Sequence, residues 1–135
     1  MKRYLLDTGI AGDFIDRRRG VYDRARAELA KGNRIGVAMP VLAELVYGIE
    51  WSASRDRNMQ RLHIALSAWR VWPFDQDAAF EYGRIAAELR RLGRPMQIVD
   101  MMIGAIAFGL GNCTVVSADS DLAAIPNLTV ENWAA

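Results

Sequence analysis

The sequence predicts an α/β fold with a short, mainly parallel central sheet covered by helices on both faces. Short apolar runs such as Tyr4-Leu5-Leu6, Ile35-Gly36-Val37-Ala38 and Val115-Val116 alternate with longer segments of helical periodicity. Acidic residues then stand at the ends of two of those runs, Asp7 after the first and Asp119 after the last. In open parallel sheets, sites form outside the carboxyl ends of strands, so both acids fall on one edge.

Each element has its own signal. Tyr4-Leu5-Leu6 reads as a buried strand that runs into a loop at Asp7-Thr8-Gly9. Val21, Ala25 and Leu29 recur at helical spacing, and Gly32-Asn33 ends that helix. After the Ile35–Ala38 strand, Pro40 sits where a first helical turn tolerates proline, and Val41, Leu42, Leu45, Val46 and Ile49 form one apolar face. Met59, Leu62 and Leu66 mark a further helix. Val71-Trp72-Pro73-Phe74 is a short extended piece, placed at a sheet edge by its proline. Asp75 or Asp77 caps a helix through Leu92 that Gly93 closes, and a very apolar helix spans about Ile98 to Leu110. Thr114–Ser117 reads as a strand, Asp121–Ala124 as a turn of helix and Leu128-Thr129-Val130 as a last strand.

Bulk properties narrow the classes. A chain of 135 residues matches one domain spanning 1–135 and buries roughly two thirds of its unfolded surface, enough for a core without staples. The net charge of +1 supplies no global field for nucleic acid, so any steering must come from local clusters. One cysteine, Cys113, excludes an internal disulfide and argues against a thiolate zinc site. With an acid at position 7 and no long apolar stretch near the start, a cytoplasmic protein without a membrane span is expected.

Sixteen acids are present, and most have an ordinary reading. Glu28, Asp56, Glu81 and Glu88 share helices with arginines and read as solvated. Asp7, Glu44, Asp100 and Asp119 instead sit in apolar company: Asp100 lies between Ile98-Val99 and Met101-Met102-Ile103, and Glu44 among Val41, Leu42, Leu45 and Val46. A lone acid at a strand end or helix start is most often a cap. Four of them near one sheet edge require a strong positive partner, because a buried carboxylate is costly without one. A hard divalent cation, with oxygen ligands and a share of substrate phosphate, meets that need.

The ordered motifs resemble those of PIN-domain ribonucleases, in particular the toxins of VapBC toxin–antitoxin pairs, including the FitB-like plasmid-stability proteins. The likeness covers nearly the whole chain. Its carriers are Tyr-Leu-Leu-Asp7-Thr8, Pro40 followed by Glu44 with Gly48 close behind, Pro95 to Ala107 around Asp100, and Val115-Val116-Ser117-Ala118-Asp119 with Asn132-Trp133. The resemblance implies a three-layer α/β/α PIN-like domain and a Mg²⁺-dependent endoribonuclease, with Mn²⁺ as substitute. It implies metal ligation by Asp7, Asp100 and Asp119, with Glu44 serving a second ion or the attacking water. Thr8, Ser117 and Asp121 are then supporting neighbours. Structured RNA such as tRNA, a cognate VapB-type antitoxin and a homodimer are the implied partners. Two departures stand out: Gly9 where the family often has Asn or Ser, and Ser117 where it usually has Thr.

Other residues carry two readings. Arg17-Arg18-Arg19 is the densest basic run, either a solvated loop or a phosphate contact beside the acids. His63 reads as structurally buried or plainly exposed rather than catalytic. Trp51, Trp69, Trp72, Trp133 and Tyr47 read as core, with any exposed subset left for an antitoxin or dimer surface. A retroviral-type aspartic protease shares Asp7-Thr8-Gly9 but needs an almost all-β chain. A receiver domain needs a late lysine, and the only lysines are Lys2 and Lys31. A PIN-like module that binds RNA or protein without cleaving is the non-enzymatic alternative.

Overall fold

The computed structural model describes residues 1–135 and has twelve elements in the order strand–helix–helix, twice repeated, and then a strand–turn–strand close. In chain order these are β1 (Arg3–Leu6), α1 (Thr8–Asp16), α2 (Val21–Ala30), β2 (Arg34–Ala38), α3 (Met39–Trp51) and α4 (Arg55–Leu66). They continue with β3 (Arg70–Trp72), α5 (Gln76–Arg91), α6 (Ile98–Leu110), β4 (Cys113–Val116), a 3-10 turn (Leu122–Ala124) and β5 (Val130–Glu131).

All four strand pairings are parallel, in the order β3-β2-β1-β4-β5. Two crossovers lead outward from β1 to β2 and then β3. The third returns past β1 to β4. Right-handed connections therefore place α1–α4 on one face and α5–α6 on the other. Being covered on both sides explains why Tyr4, Leu5 and Leu6 are all buried, with no alternation. The order reverses between β1 and β4, so a crevice opens there at the carboxyl ends of the strands. The Asp7 N–H, bonded to the Val116 carbonyl at 3.0 Å, ties the two strand ends together at that point.

The expected edge position of residues 71–72 holds, since β3 is an outermost strand. Gly36 is what lets β3 approach β2: a Cβ there would stand 1.9 Å from the Arg70 carbonyl oxygen. Asp75, rather than Asp77, caps α5, accepting the Ala78 N–H at 3.0 Å. No helix is long and apolar enough to cross a membrane.

Three expectations need correction. The loop expected at Asp7-Thr8-Gly9 is instead the start of a helix over 8–16: Asp7 caps it, accepting the Ile10 N–H at 2.8 Å, while Ile10, Ala11 and Phe14 face the core. Gly9 and Gly12 lower its intrinsic propensity, and burial overrides them. The last strand is Val130–Glu131, displaced toward the C-terminus from the expected 128–130. Glu28 is buried, not solvated. Its carboxylate is met by Arg24 at 3.0 Å, Lys31 at 3.6 Å and the Asn33 amide at 2.9 Å. Trp69 and Trp133 fill core positions against Phe14 and Tyr4, whereas Trp51 is 84% exposed and Tyr47 72%. Cys113 is partly buried.

Candidate active site

At the crevice between the β1 and β4 ends lies an open cleft of about 650 Å³. Asp7, Glu44, Asp100 and Asp119 all line it. Four elements deliver them: the end of β1, the middle of α3, the first turn of α6 and the loop after β4. Asp100 thereby sits where a helix N-terminus favours negative charge.

Electrostatics report the same convergence. Burial pushes the Asp100 carboxyl up to about 6, and the charges of Asp119, Asp7, Asp121 and Glu44 add to the rise. The Asp7 carboxyl is also raised, chiefly by burial; hydrogen bonds from Ser117 and the Ile10 N–H oppose this, and Asp119 and Asp13 reinforce it. None of the four acids forms an ion pair, although twelve such contacts exist elsewhere in the chain. The fold thus gathers like charges and leaves them uncompensated by its own cations.

The supporting residues are equally specific. Thr8 Oγ1 donates to Glu44 Oε1 at 2.5 Å, linking α1 to α3 across the cleft. The Asp119 N–H donates to Ser117 Oγ at 3.0 Å, and Asp119 Oδ1 accepts the Asp121 N–H at 2.9 Å, which fixes the loop after β4. Ligand oxygens of Asp100, Asp119 and Asp121 lie within 4.8 Å of one another. Asp121 joins this trio, although it does not itself line the cleft. It is also the one acid of this trio with a cation, Arg94 at 2.9 Å. Asp7 and Glu44 line the same cleft outside that tight trio. An acid already paired with an arginine, as Asp121 is, attracts a cation less strongly than the unpaired Asp7. Gly9 leaves room for a side chain, since a Cβ there would stand 3.8 Å from Asp7 Oδ1.

Of the basic run, Arg19 alone reaches the cleft. Arg17 stacks over Tyr22 at 4.2 Å, and Arg18 pairs with Asp16 at 3.0 Å. His63 is exposed on α4, outside the cleft. Asp13 escaped the sequence reading, although it is buried and stands in Ile10-Ala11-Gly12-Asp13-Phe14-Ile15. The apolar-company criterion that singled out the other acids applies to it equally. Gln97, which also lines the cleft, carries no such signal.

The PIN-domain family model matches residues 4–128. Ribonuclease VapC2 of Rickettsia felis is 33% identical over 130 residues, covering 96% of this chain and 97% of that protein. The chain belongs to the VapC ribonucleases of the PIN-domain family. The tRNA(fMet)-specific endonuclease VapC of Salmonella typhimurium is 31% identical over 133 residues, covering 98% of this chain and 99% of its own. Among solved structures, VapBC2 from Rickettsia felis bound to a promoter DNA fragment superposes with a TM-score of 0.90 at 32% identity, covering 97% and 98% of the two chains. The FitAcB structure from Neisseria gonorrhoeae, at 22% identity and a TM-score of 0.82, shares the fold. As a member of this family the chain is a nuclease, a hydrolase of phosphodiester bonds.

Proposed function

We propose that residues 1–135 act as one metal-dependent endoribonuclease domain, cutting RNA at the cleft formed by Asp7, Glu44, Asp100 and Asp119. The observation that carries this reading is Asp100, whose carboxyl is surrounded by four other acids while no cation of the chain pairs with it. Such crowding is tolerable when an external cation shares the site. The donor set fits: carboxylate oxygens alone suit Mg²⁺, with Mn²⁺ as substitute, and offer nothing to a thiophilic metal. Asp7, Asp100 and Asp119 would hold the ion. When bound, it would lower the pKa of coordinated water and offset charge growing on the phosphate.

The remaining work falls to side chains of the chain. Glu44, held by Thr8, keeps an acceptor aimed into the cleft from the α3 side, where it orients the attacking water or a second ion. Ser117 and Asp121 fix Asp119 so that its carboxylate does not have to be ordered when substrate arrives. The substrate class is tRNA or another structured RNA, in line with the tRNA specificity of the Salmonella relative. A cognate VapB-type antitoxin is the proposed partner, since relatives of this similarity are solved as VapBC complexes. The protein is further proposed to act as a homodimer. Tyr47 and Trp51, one turn apart on α3 and both largely exposed, are the face offered to a protein partner.

The test mixes purified protein with total RNA and Mg²⁺ or Mn²⁺, with and without EDTA, beside Asp7→Asn. Cleavage that needs metal and disappears in the variant is the expected result. Intact RNA with retained binding would instead identify a non-catalytic PIN-like binding module.

A further inference from the structure

A cleft lined by four unpaired carboxylates repels the polyanion it has to cut. Of the twelve residues lining it, Arg19 is the single cation. Its guanidinium is not spent on the cleft acids. Nε donates to Asp13 Oδ2 at 3.0 Å and Nη2 lies 2.9 Å from the same oxygen, while Nη1 has no protein partner. Asp13 is 5% exposed on α1, so the anchor is rigid, while the Arg19 side chain stays 51% accessible.

The backbone is held as tightly. Arg19, like Arg17 at 53°, adopts a left-handed φ, here 55°, a conformation that side-chain-bearing residues adopt at a cost. Here the Arg18 N–H donates to the Asp13 carbonyl at 2.9 Å, and the Arg19 carbonyl accepts the Ala135 N–H at 3.0 Å. Neither neighbouring arginine reaches the cleft: Arg17 lies on Tyr22, and Arg18 pairs with Asp16 at 3.0 Å and stands 3.8 Å from the far oxygen of Asp13.

We infer that Arg19 is the substrate-phosphate contact at the rim of the cleft, with buried Asp13 as its positioning residue. Nη1 donates to a non-scissile phosphate oxygen of the RNA strand. Asp13 fixes the guanidinium plane before substrate arrives, so little side-chain freedom is lost on binding. The inference rests on the RNA-cleaving reading above and adds the residue that offsets repulsion by the acids.

Two measurements test it: anisotropy of a short fluorescein-labelled single-stranded RNA in EDTA across a KCl series, and steady-state cleavage with Mg²⁺. Arg19→Ala is expected to weaken binding about tenfold and to reduce the salt slope by about 0.7, the value of one single-strand phosphate contact. Its effect falls on KM, with kcat nearly unchanged. Arg17→Ala leaves both slope and KM as in the wild type. Asp13→Asn is the sharper variant, because it makes the protein more positive by one charge. General electrostatics then predicts tighter binding, whereas loss of the clamp predicts weaker binding.

Equal effects of Arg17→Ala and Arg19→Ala, or tighter binding by a folded Asp13→Asn, would overturn the inference. Should Asp13→Asn not fold, Arg19→Ala decides alone. A wild type that cleaves RNA while Arg19→Ala keeps its KM and slope sinks this inference and spares the nuclease. A wild type that neither cleaves nor binds RNA removes both.

Discussion

Replacing Asp100 by Asn should stabilise the metal-free protein, and the size follows from the site. Burial and four neighbouring acids raise this carboxyl from 3.8 to about 6, so the ionised form is disfavoured in the folded chain. At 1.36 kcal/mol per pH unit, that difference is worth about 3 kcal/mol. Partial solvent access screens it to about 1–2 kcal/mol. The sign is fixed by linkage. Between about pH 4 and pH 6 the native state binds more protons than the unfolded chain, so wild-type stability falls as pH rises through that window. Above it the full penalty applies. Asp100→Asn removes the penalty and, with an unfolding entropy of about 0.28 kcal/mol/K for 135 residues, should raise Tm by about 4–7 °C at pH 7 in EDTA. The gain should nearly vanish at pH 4. Differential scanning calorimetry of both proteins, across that pH range, is the assay. Mg²⁺ should stabilise the wild type more than the variant. A variant less stable than wild type at pH 7, or a gain independent of pH, would refute the reasoning and make Asp100 a structural acceptor.

Three further outcomes are expected. Asp7→Asn keeps an oxygen for the Ile10 N–H, so its Tm should stay level or rise, while RNA cleavage falls on the order of 10²-fold or more. Arg24→Ala strips the closest cation from buried Glu28 and its own contact over Trp133, and should cost about 2 kcal/mol in urea unfolding at pH 7. Burial alone would raise the Glu28 carboxyl, but Arg24, Asn33 and Lys31 outweigh it and hold it below its ordinary value. That stabilisation is complete above the unfolded value and lost as pH falls through the folded one, so the Arg24→Ala deficit should shrink in acid. Burial pushes the Cys113 thiol up to about 12 despite the charge of Arg3, so iodoacetamide at pH 8 should label it slowly in the folded protein and rapidly in urea. Rapid labelling of the native chain would contradict that.

Much of this architecture is legible in the sequence because its strands are short and doubly buried, and its later helices have long apolar faces. Helix α1 is not. Gly9 and Gly12 interrupt its propensity, and only packing of Ile10 and Phe14 against the sheet makes it form. The cleft acids announce themselves by apolar neighbours, a signal that depends on local sequence. Pairing does not. Asp121 looks ordinary until Arg94, 27 positions away, is placed beside it, and the burial of Glu28, whose partners are sequence neighbours, is set by packing. Arg19 is set apart from Arg17 and Arg18 by side-chain direction alone, which composition cannot carry.

The strand order has a consequence for how the enzyme comes into being. Because β1 lies between β2 and β4, a ribosome that has translated as far as α6 holds a chain with Asp7, Glu44 and Asp100 already made. That chain lacks β4, so one flank of β1 is open, the Val116 carbonyl that seats Asp7 does not yet exist, and Asp119 is still untranslated. The acidic cleft therefore comes together late, only once β4 and the loop after it have been made and β4 has paired with β1.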